Sequence, residues 1–152
     1  MPPPEDPFAR AALLAAPSGF LHLHRVRFQE VDAAGIVFFA RLFEYFHDGY
    51  FAFLESNGIR LDEVLREGPW VAPLIHAEAD FLRPLRFGDV ITVGPVRAAW
   101  AGGRLTIAHR AQHEGSGEAV ALGRTVHAFV DRNFQKIEPP AEMLRAFLPL
   151  VG

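Results

Sequence analysis

The stretch from residue 39 to residue 56 constrains this chain more than any other. Leu42, Phe43, Tyr45, Phe46, Tyr50, Phe53 and Leu54 recur at helical spacing, and Asn57-Gly58 supplies a C-terminal stop, so the pattern predicts a helix over 39–56. Six Phe and Tyr side chains fall between positions 43 and 53, which leaves that helix apolar around most of its circumference. Such a helix has to be wrapped rather than laid on a surface.

The rest of the chain supplies a wrapping. Residues 20–28, with His22-Leu23-His24-Arg25-Val26-Arg27-Phe28, alternate polar and apolar and predict a strand ahead of the helix. A short helix is expected around 61–67. Residues 73–83 read as a strand that Pro84 and the Gly88-Asp89 turn bring to an end, and Val90-Ile91-Thr92-Val93 opens the next. Gly102-Gly103 and Gly115-Ser116-Gly117 are hairpin turns that divide 90–101, 104–113 and 118–131. The predicted order is strand, helix, then a meander of four antiparallel strands. That is an α+β domain, a long central helix inside a five-stranded antiparallel sheet. Sheet edges are commonly covered by a second copy of the chain, so a homodimer or homotetramer is expected. Residues 1–19 read as a Pro-rich arm ending near Ser18-Gly19, and 20–152 as a single domain.

Charge and cysteine content exclude several functions. Lys and Arg total 15 against 18 Asp and Glu, a net charge of −3, which gives no basic field for nucleic acid. A small-molecule partner is expected instead. With no cysteine there is no disulfide framework, thiolate metal site or cysteine nucleophile, and a reducing cytoplasm is compatible. No apolar run approaches the ~18 residues of a membrane span, and the N-terminus lacks the basic region of a signal peptide. No pair among the seven histidines has a metal-binding spacing, so no metal is expected.

Between the first strand and the helix lies Glu30-Val31-Asp32-Ala33-Ala34-Gly35-Ile36-Val37-Phe38-Phe39-Ala40. Asp32 sits on a connection, where a fold can aim a carboxylate at a helix N-terminus. Asp is also a common turn and capping residue at such a junction. The residues alone leave both uses open.

Three stretches carry a family resemblance: residues 31–40, His47-Asp48-Gly49-Tyr50, and residues 73–85 with His76 and Asp80-Phe81-Leu82-Arg83-Pro84. Strand, Asp-x-x-Gly-Ile-Val-Phe-Phe, aromatic helix and further strands resemble the hotdog-fold acyl-CoA thioesterases of the 4-hydroxybenzoyl-CoA type over residues 20–132. Within that group the third stretch is most similar to the 1,4-dihydroxy-2-naphthoyl-CoA thioesterases of phylloquinone and menaquinone synthesis. The resemblance implies that Asp32 is the catalytic carboxylate, as nucleophile or as base for water, and that the backbone N–H of Phe39 faces the oxyanion. It implies hydrolysis of an aromatic acyl-CoA with no separate cofactor, coenzyme A being part of the substrate. The chemistry fits independently: thioester hydrolysis needs a nucleophile or base plus donors aimed at developing charge, and a helix N-terminus has unpaired N–H groups to offer.

One departure narrows the substrate. A related branch acting on short acyl groups has a histidine where this chain has Phe39, and the phenyl ring argues for an aromatic, apolar pocket. Glu30 stands where much of the family has Asp, keeps the charge, and reads as secondary. Gly35, His76 and His47 are further substrate-side candidates. His76, on a strand, has two readings, contact with the acyl ring or its hydroxyls and an interior hydrogen bond. His47 falls within the wrapped helix and is expected to make a core hydrogen bond. Arg104, Arg83 and Arg86 are candidates for the CoA phosphates, which suit guanidinium geometry, although any one of them can be a solvated strand-end residue. The competing functions are a thioesterase for 4-hydroxybenzoyl-CoA or a broader set of acyl-CoAs, and a non-catalytic acyl-CoA-binding hotdog protein. A hotdog dehydratase is excluded by the lack of a His-Phe-Pro type run.

Overall fold

A computed structural model describes residues 1–152. Its elements are α1 (Arg10–Ala15), β1 (His22–Arg25), α2 (Phe39–Ser56), α3 (Leu61–Glu67), β2 (Leu74–Phe81), β3 (Val90–Ala101), β4 (Arg104–His113), β5 (Ala119–His127) and α4 (Ala141–Phe147). The five strands form one antiparallel sheet in the order β1-β3-β4-β5-β2, with α2 lying across it.

The helix over 39–56 has the bounds its apolar periodicity and Asn57-Gly58 stop require. Leu42, Tyr45, Phe46, Gly49, Tyr50, Phe53 and Leu54 are buried. Phe46 lies so close to β5 that any Cβ at Gly123 would meet its ring at 2.4 Å, so a glycine is required beneath it. The wrapping is incomplete. Phe39, Phe43, His47 and Phe51 form a second stripe at i, i+4 spacing that the sheet leaves partly or fully exposed.

The four-strand meander is a correction. Only β3, β4 and β5 form one, and β2 crosses to pair with β5 at the far edge of the sheet. The 82–89 connection makes this crossing beneath the N-terminus of α2, where Leu85 is buried and its carbonyl accepts the Val37 N–H at 2.8 Å. Alternation tells a strand's face but not its neighbour. The first strand is also shorter than 20–28, because Phe28–Glu30 turns into a 3₁₀ segment.

Residues 1–19 carry α1, which packs on the face of the sheet opposite α2. Leu13 and Ala16 are buried against Val96, Ala108 and Leu122. The Arg110 guanidinium donates to the carbonyls of Leu13 and Ala16 at 2.8 Å each and to Ser18. At the other end of the molecule α4 inserts Met143 and Phe147 beside Tyr50, Phe53 and Leu54, closing the core. Residues 143, 146 and 147, after Pro139-Pro140, carry the apolar spacing of that helix.

Candidate functional site

A bridge between Val31 and Val37 pinches the chain into a tight loop between β1 and α2. The Asp32 N–H donates to the Ile36 carbonyl at 2.9 Å, the Gly35 N–H donates to the Asp32 carbonyl at 3.0 Å, and Gly35 adopts φ +79°. That left-handed conformation favours glycine, which accounts for Gly35 as a turn requirement. Asp32 Oδ1 accepts the Ala34 N–H at 2.8 Å, so the carboxylate does serve the turn; its other oxygen has no partner in the chain.

The exposed Asp32 faces the start of α2. Phe38 occupies the N-cap position with no side chain bonded to the first turn, and the N–H groups of Phe39 and Ala40 find no backbone acceptor. Asp32 and Phe39 line one cleft of about 380 Å³, walled by Leu42, Phe81 and Pro84 with Arg83 at its side. A carboxylate oxygen, unpaired helix N–H groups and apolar walls therefore meet in one space. This arrangement can present a base or nucleophile to a carbonyl whose oxygen points at the helix N-terminus.

Glu30 holds the arrangement from below. It is buried, and its carboxylate accepts from the Arg27 N–H at 2.8 Å, from Tyr45 Oη at 2.9 Å and from His24 Nε2 at 3.0 Å. Its carbonyl accepts the Phe38 N–H at 2.9 Å. Burial pushes this carboxyl upward, but the bonds from Arg27, His24 and Tyr45 outweigh it and leave Glu30 below its ordinary range. Burial and Glu30 together drive the Tyr45 phenol far up. Glu30 thus pins β1, the 3₁₀ turn and α2 to one another beneath Asp32, a larger part than its sequence position suggested.

The remaining candidates scatter. His76 is exposed on the face of β2 away from α2, where its Nε2 meets Glu78 Oε2 at 3.0 Å and Glu78 in turn pairs with Arg124 at 3.0 Å. The structure does not bring it to the cleft of Asp32, and the interior reading fails as well. His47 makes no core hydrogen bond: it is exposed, its ring 3.9 Å from that of Phe51. Arg83 Nε pairs with Glu118 at 2.5 Å. Arg86 is exposed, its backbone is bridged to Ile36 of the Asp32 loop and donates its N–H to Asp89 Oδ2 at 2.8 Å, and its guanidinium pairs with no carboxylate. Arg104 lies at the other end of the sheet, about 23 Å away along a strand at ~3.3 Å per residue. No cluster of three or more His, Cys, Asp or Glu side chains is arranged to hold a metal ion.

A second polar group was not singled out in the sequence. His109 and His127 are buried between the sheet and α2, with Thr125 between them. The signal was present: His109 sits in the inward register of β4 with Leu105, Ile107 and Ala111, where an apolar residue is the norm.

A family model described as the thioesterase-like superfamily matches residues 26–148. A protein of Synechococcus elongatus named 1,4-dihydroxy-2-naphthoyl-CoA hydrolase is 30% identical over 128 residues, 84% of this chain and 93% of that one. The protein of the same name from Thermosynechococcus vestitus is 30% identical over 125 residues, 81% and 84% of the two chains. Among solved structures, a 1,4-dihydroxy-2-naphthoyl-CoA thioesterase from Synechocystis superposes with a TM-score of 0.79 at 25% identity, covering 86% of this chain and 96% of that one.

Proposed function

This chain belongs to the thioesterase-like superfamily and is a hotdog-fold thioester hydrolase, and from that premise we propose that it hydrolyses an aromatic acyl-CoA, 1,4-dihydroxy-2-naphthoyl-CoA first, through Asp32. The observation that carries the reading is the single apolar-walled cleft shared by the Asp32 carboxylate and the uncapped N-terminus of α2. The two named relatives, each similar over more than four-fifths of this chain, support the choice of acyl group.

The thioester carbonyl oxygen lies toward the Phe39 N–H, which stabilises the charge that grows on it. In one route an Asp32 oxygen adds to the carbonyl carbon, the C–S bond breaks with CoA leaving as thiolate, and water cleaves the resulting anhydride. In the other, Asp32 takes a proton from the water that adds. Phe39, Leu42 and Phe81 supply ring-sized apolar walls. Arg86, whose guanidinium pairs with no carboxylate and which lies close to the Asp32 loop, is the first choice for a CoA phosphate, ahead of the paired Arg83 and the distant Arg104. No resident cofactor is required, since CoA arrives with the substrate, and a reducing cytoplasm suits a chain without cysteine.

The working unit is a homodimer. β2 is an edge strand exposed along nearly all its length, and beside it runs the stripe of α2 with Phe39 and Phe51 exposed and Phe43 half-buried. An antiparallel second copy satisfies the strand edge and buries the stripe together. Thiol release from a panel of aromatic and aliphatic acyl-CoAs tests the substrate assignment. Hydroxylated aryl-CoAs are expected to exceed acetyl-CoA and butyryl-CoA in kcat/KM by at least about tenfold, worth ~1.4 kcal/mol. Equal or better rates on the short aliphatic esters would overturn the aryl assignment.

A further inference from the structure

The seam between α2 and β2 does not end at Asp32. Phe43 and His47 follow Phe39 by one and two helical turns, ~6 and ~12 Å along the axis, and beside them a recess of about 40 Å³ opens between the helix and the sheet. Its apolar sides are Phe43, Phe46 and Ala77, and its polar side is His109, Thr125 and His127. One water occupies ~10–15 Å³ by a comparable measure. The recess thus admits the polar edge of a ring, not a whole ring.

The hydrogen bonds of that polar side run in one direction. The Ala72 carbonyl can only accept, so His127 Nδ1 carries the proton and donates to it at 3.5 Å. A neutral His127 ring then has a lone pair on Nε2, which accepts the Thr125 hydroxyl proton at 3.2 Å. With its proton so committed, Thr125 Oγ1 accepts from His109 Nε2–H at 2.8 Å. A neutral His109 is thereby left with a bare lone pair on Nδ1. That atom has no partner in the chain and is closed to a molecule the size of water, so a donor in the recess reaches it only as the side chains around it give way. Burial holds both rings neutral, His109 pushed down to about 3 and His127 to about 4.

A buried acceptor without a donor is costly, and here tautomer logic fixes what would relieve it: a hydroxyl or another neutral donor, not an anion and not an acceptor. The Nε2 bond to Thr125 at 2.8 Å sets which way the His109 ring points, and Phe46 stacks on that ring at 5.4 Å, so turning Nδ1 toward another partner would break the Thr125 bond. We propose that this recess is a recognition subsite for a distal ring hydroxyl of the acyl group, the hydroxyl donating to His109 Nδ1. The inference rests on the aryl-CoA thioesterase reading above. It moves hydroxyl recognition from His76, on the outer face of the sheet, to His109, and it makes Thr125 and His127 positioning residues that fix the His109 tautomer.

The test compares 1,4-dihydroxy-2-naphthoyl-CoA with 1-hydroxy-2-naphthoyl-CoA, which lacks only the distal hydroxyl. In the wild-type protein the ratio of kcat/KM values is expected to favour the dihydroxy ester by about tenfold or more, from pairing an otherwise orphaned buried acceptor. In His109→Phe that ratio falls to about one, and in Thr125→Val, which keeps the shape and frees the tautomer, it falls part of the way. A wild-type ratio near one, or a ratio preserved in a folded His109→Phe protein, overturns the subsite while leaving the thioesterase reading intact. A binding measurement separates the two failures. With ring-¹⁵N-labelled histidine, anaerobic 1,4-dihydroxy-2-naphthoate is expected to shift the His109 Nδ1 resonance and 1-hydroxy-2-naphthoate is not. If neither CoA ester is hydrolysed the functional reading fails, and the ¹⁵N result still decides the recess. An Nδ1 resonance unmoved by the dihydroxy acid means that the recess holds water only, and the proposal falls.

Discussion

Two buried polar groups lie between α2 and the sheet, and they differ in one respect. Around Glu30, a charged acceptor receives donors from Arg27, Tyr45 and His24. Around His109, three neutral groups pass hydrogen bonds in a line and the last acceptor has nothing to accept. A satisfied buried network rigidifies what it joins, whereas an unsatisfied one persists where something from outside completes it. The first kind belongs under a loop that must not move. The second belongs beside a cavity. Glu30 lies beneath Asp32 and His109 lies on the recess, so the difference in satisfaction follows the difference in position.

The sharpest way to break the comparison is Glu30→Ala. It strands the Tyr45 hydroxyl, the Arg27 N–H and His24 around a hole, and removing one partner of a buried charged network costs about 3 kcal/mol or more. A fall of that size in denaturant-derived stability is expected, together with loss of turnover as the Asp32 loop loosens. A loss below about 1 kcal/mol would mean that the Glu30 group does not carry the loop. The sign with pH also follows. Because Glu30 is held below its ordinary range, its contribution is full above the unfolded value of ~4.3 and is lost as pH falls through the folded one.

Asp32→Asn separates the turn from the chemistry. The amide oxygen can still accept the Ala34 N–H, so stability is expected to stay within about 0.5 kcal/mol. Turnover of the aryl-CoA should fall at least ~10²-fold, the low end for a positioned acid or base, which is ~2.7 kcal/mol. Near-wild-type hydrolysis by the folded variant would show that the Asp32 carboxylate is a turn residue only.

What the sequence exposed depended on whether the cause was local. The α2 bounds were legible because apolar recurrence and Asn57-Gly58 lie inside the element, and the β3–β4 hairpin because Gly102-Gly103 makes its own turn. The Asp32 loop was legible for the same reason, with Gly35 supplying the left-handed residue the turn requires. The pairing of β2 with β5 was not, since alternation carries no information about neighbours. A register shift between Leu74 and His76 further obscured which face His76 takes. Helix α1, Arg-Ala-Ala-Leu-Leu-Ala, is built of strong helix formers, but at six residues without a side-chain cap it is too short to hold alone; burial of Leu13 and Arg110's grip on its final carbonyls make it. The His109 group was half legible. Its inward register could be read from β4 alone, but its partners come from β5, and only the fold supplies them.

The smallest expected effect sharpens the comparison most cheaply, because the two groups titrate in different windows. His109 and His127 are neutral in the folded protein, with values of about 3 and about 4, whereas in the unfolded chain each titrates near ~6.5. His47 on α2 is lowered as well, through desolvation beside the sheet. Below about pH 7 the unfolded state therefore binds protons that the folded state does not, and stability must fall as pH falls. Between pH 7 and 6 an unfolded histidine is on average about half protonated, so the two buried rings together cost about 1.4 kcal/mol over that unit. This loss lies well above the acid window of Glu30. Urea unfolding followed at pH 7, 6 and 5 should show it, and His109→Phe should reduce the slope by roughly one ring's share. A stability that is flat from pH 7 to 5 would mean that the buried rings take up protons as readily as free ones. In that case His109 Nδ1 would be a donor at mildly acid pH, and the contrast between a satisfied charged node and a waiting neutral acceptor would not hold.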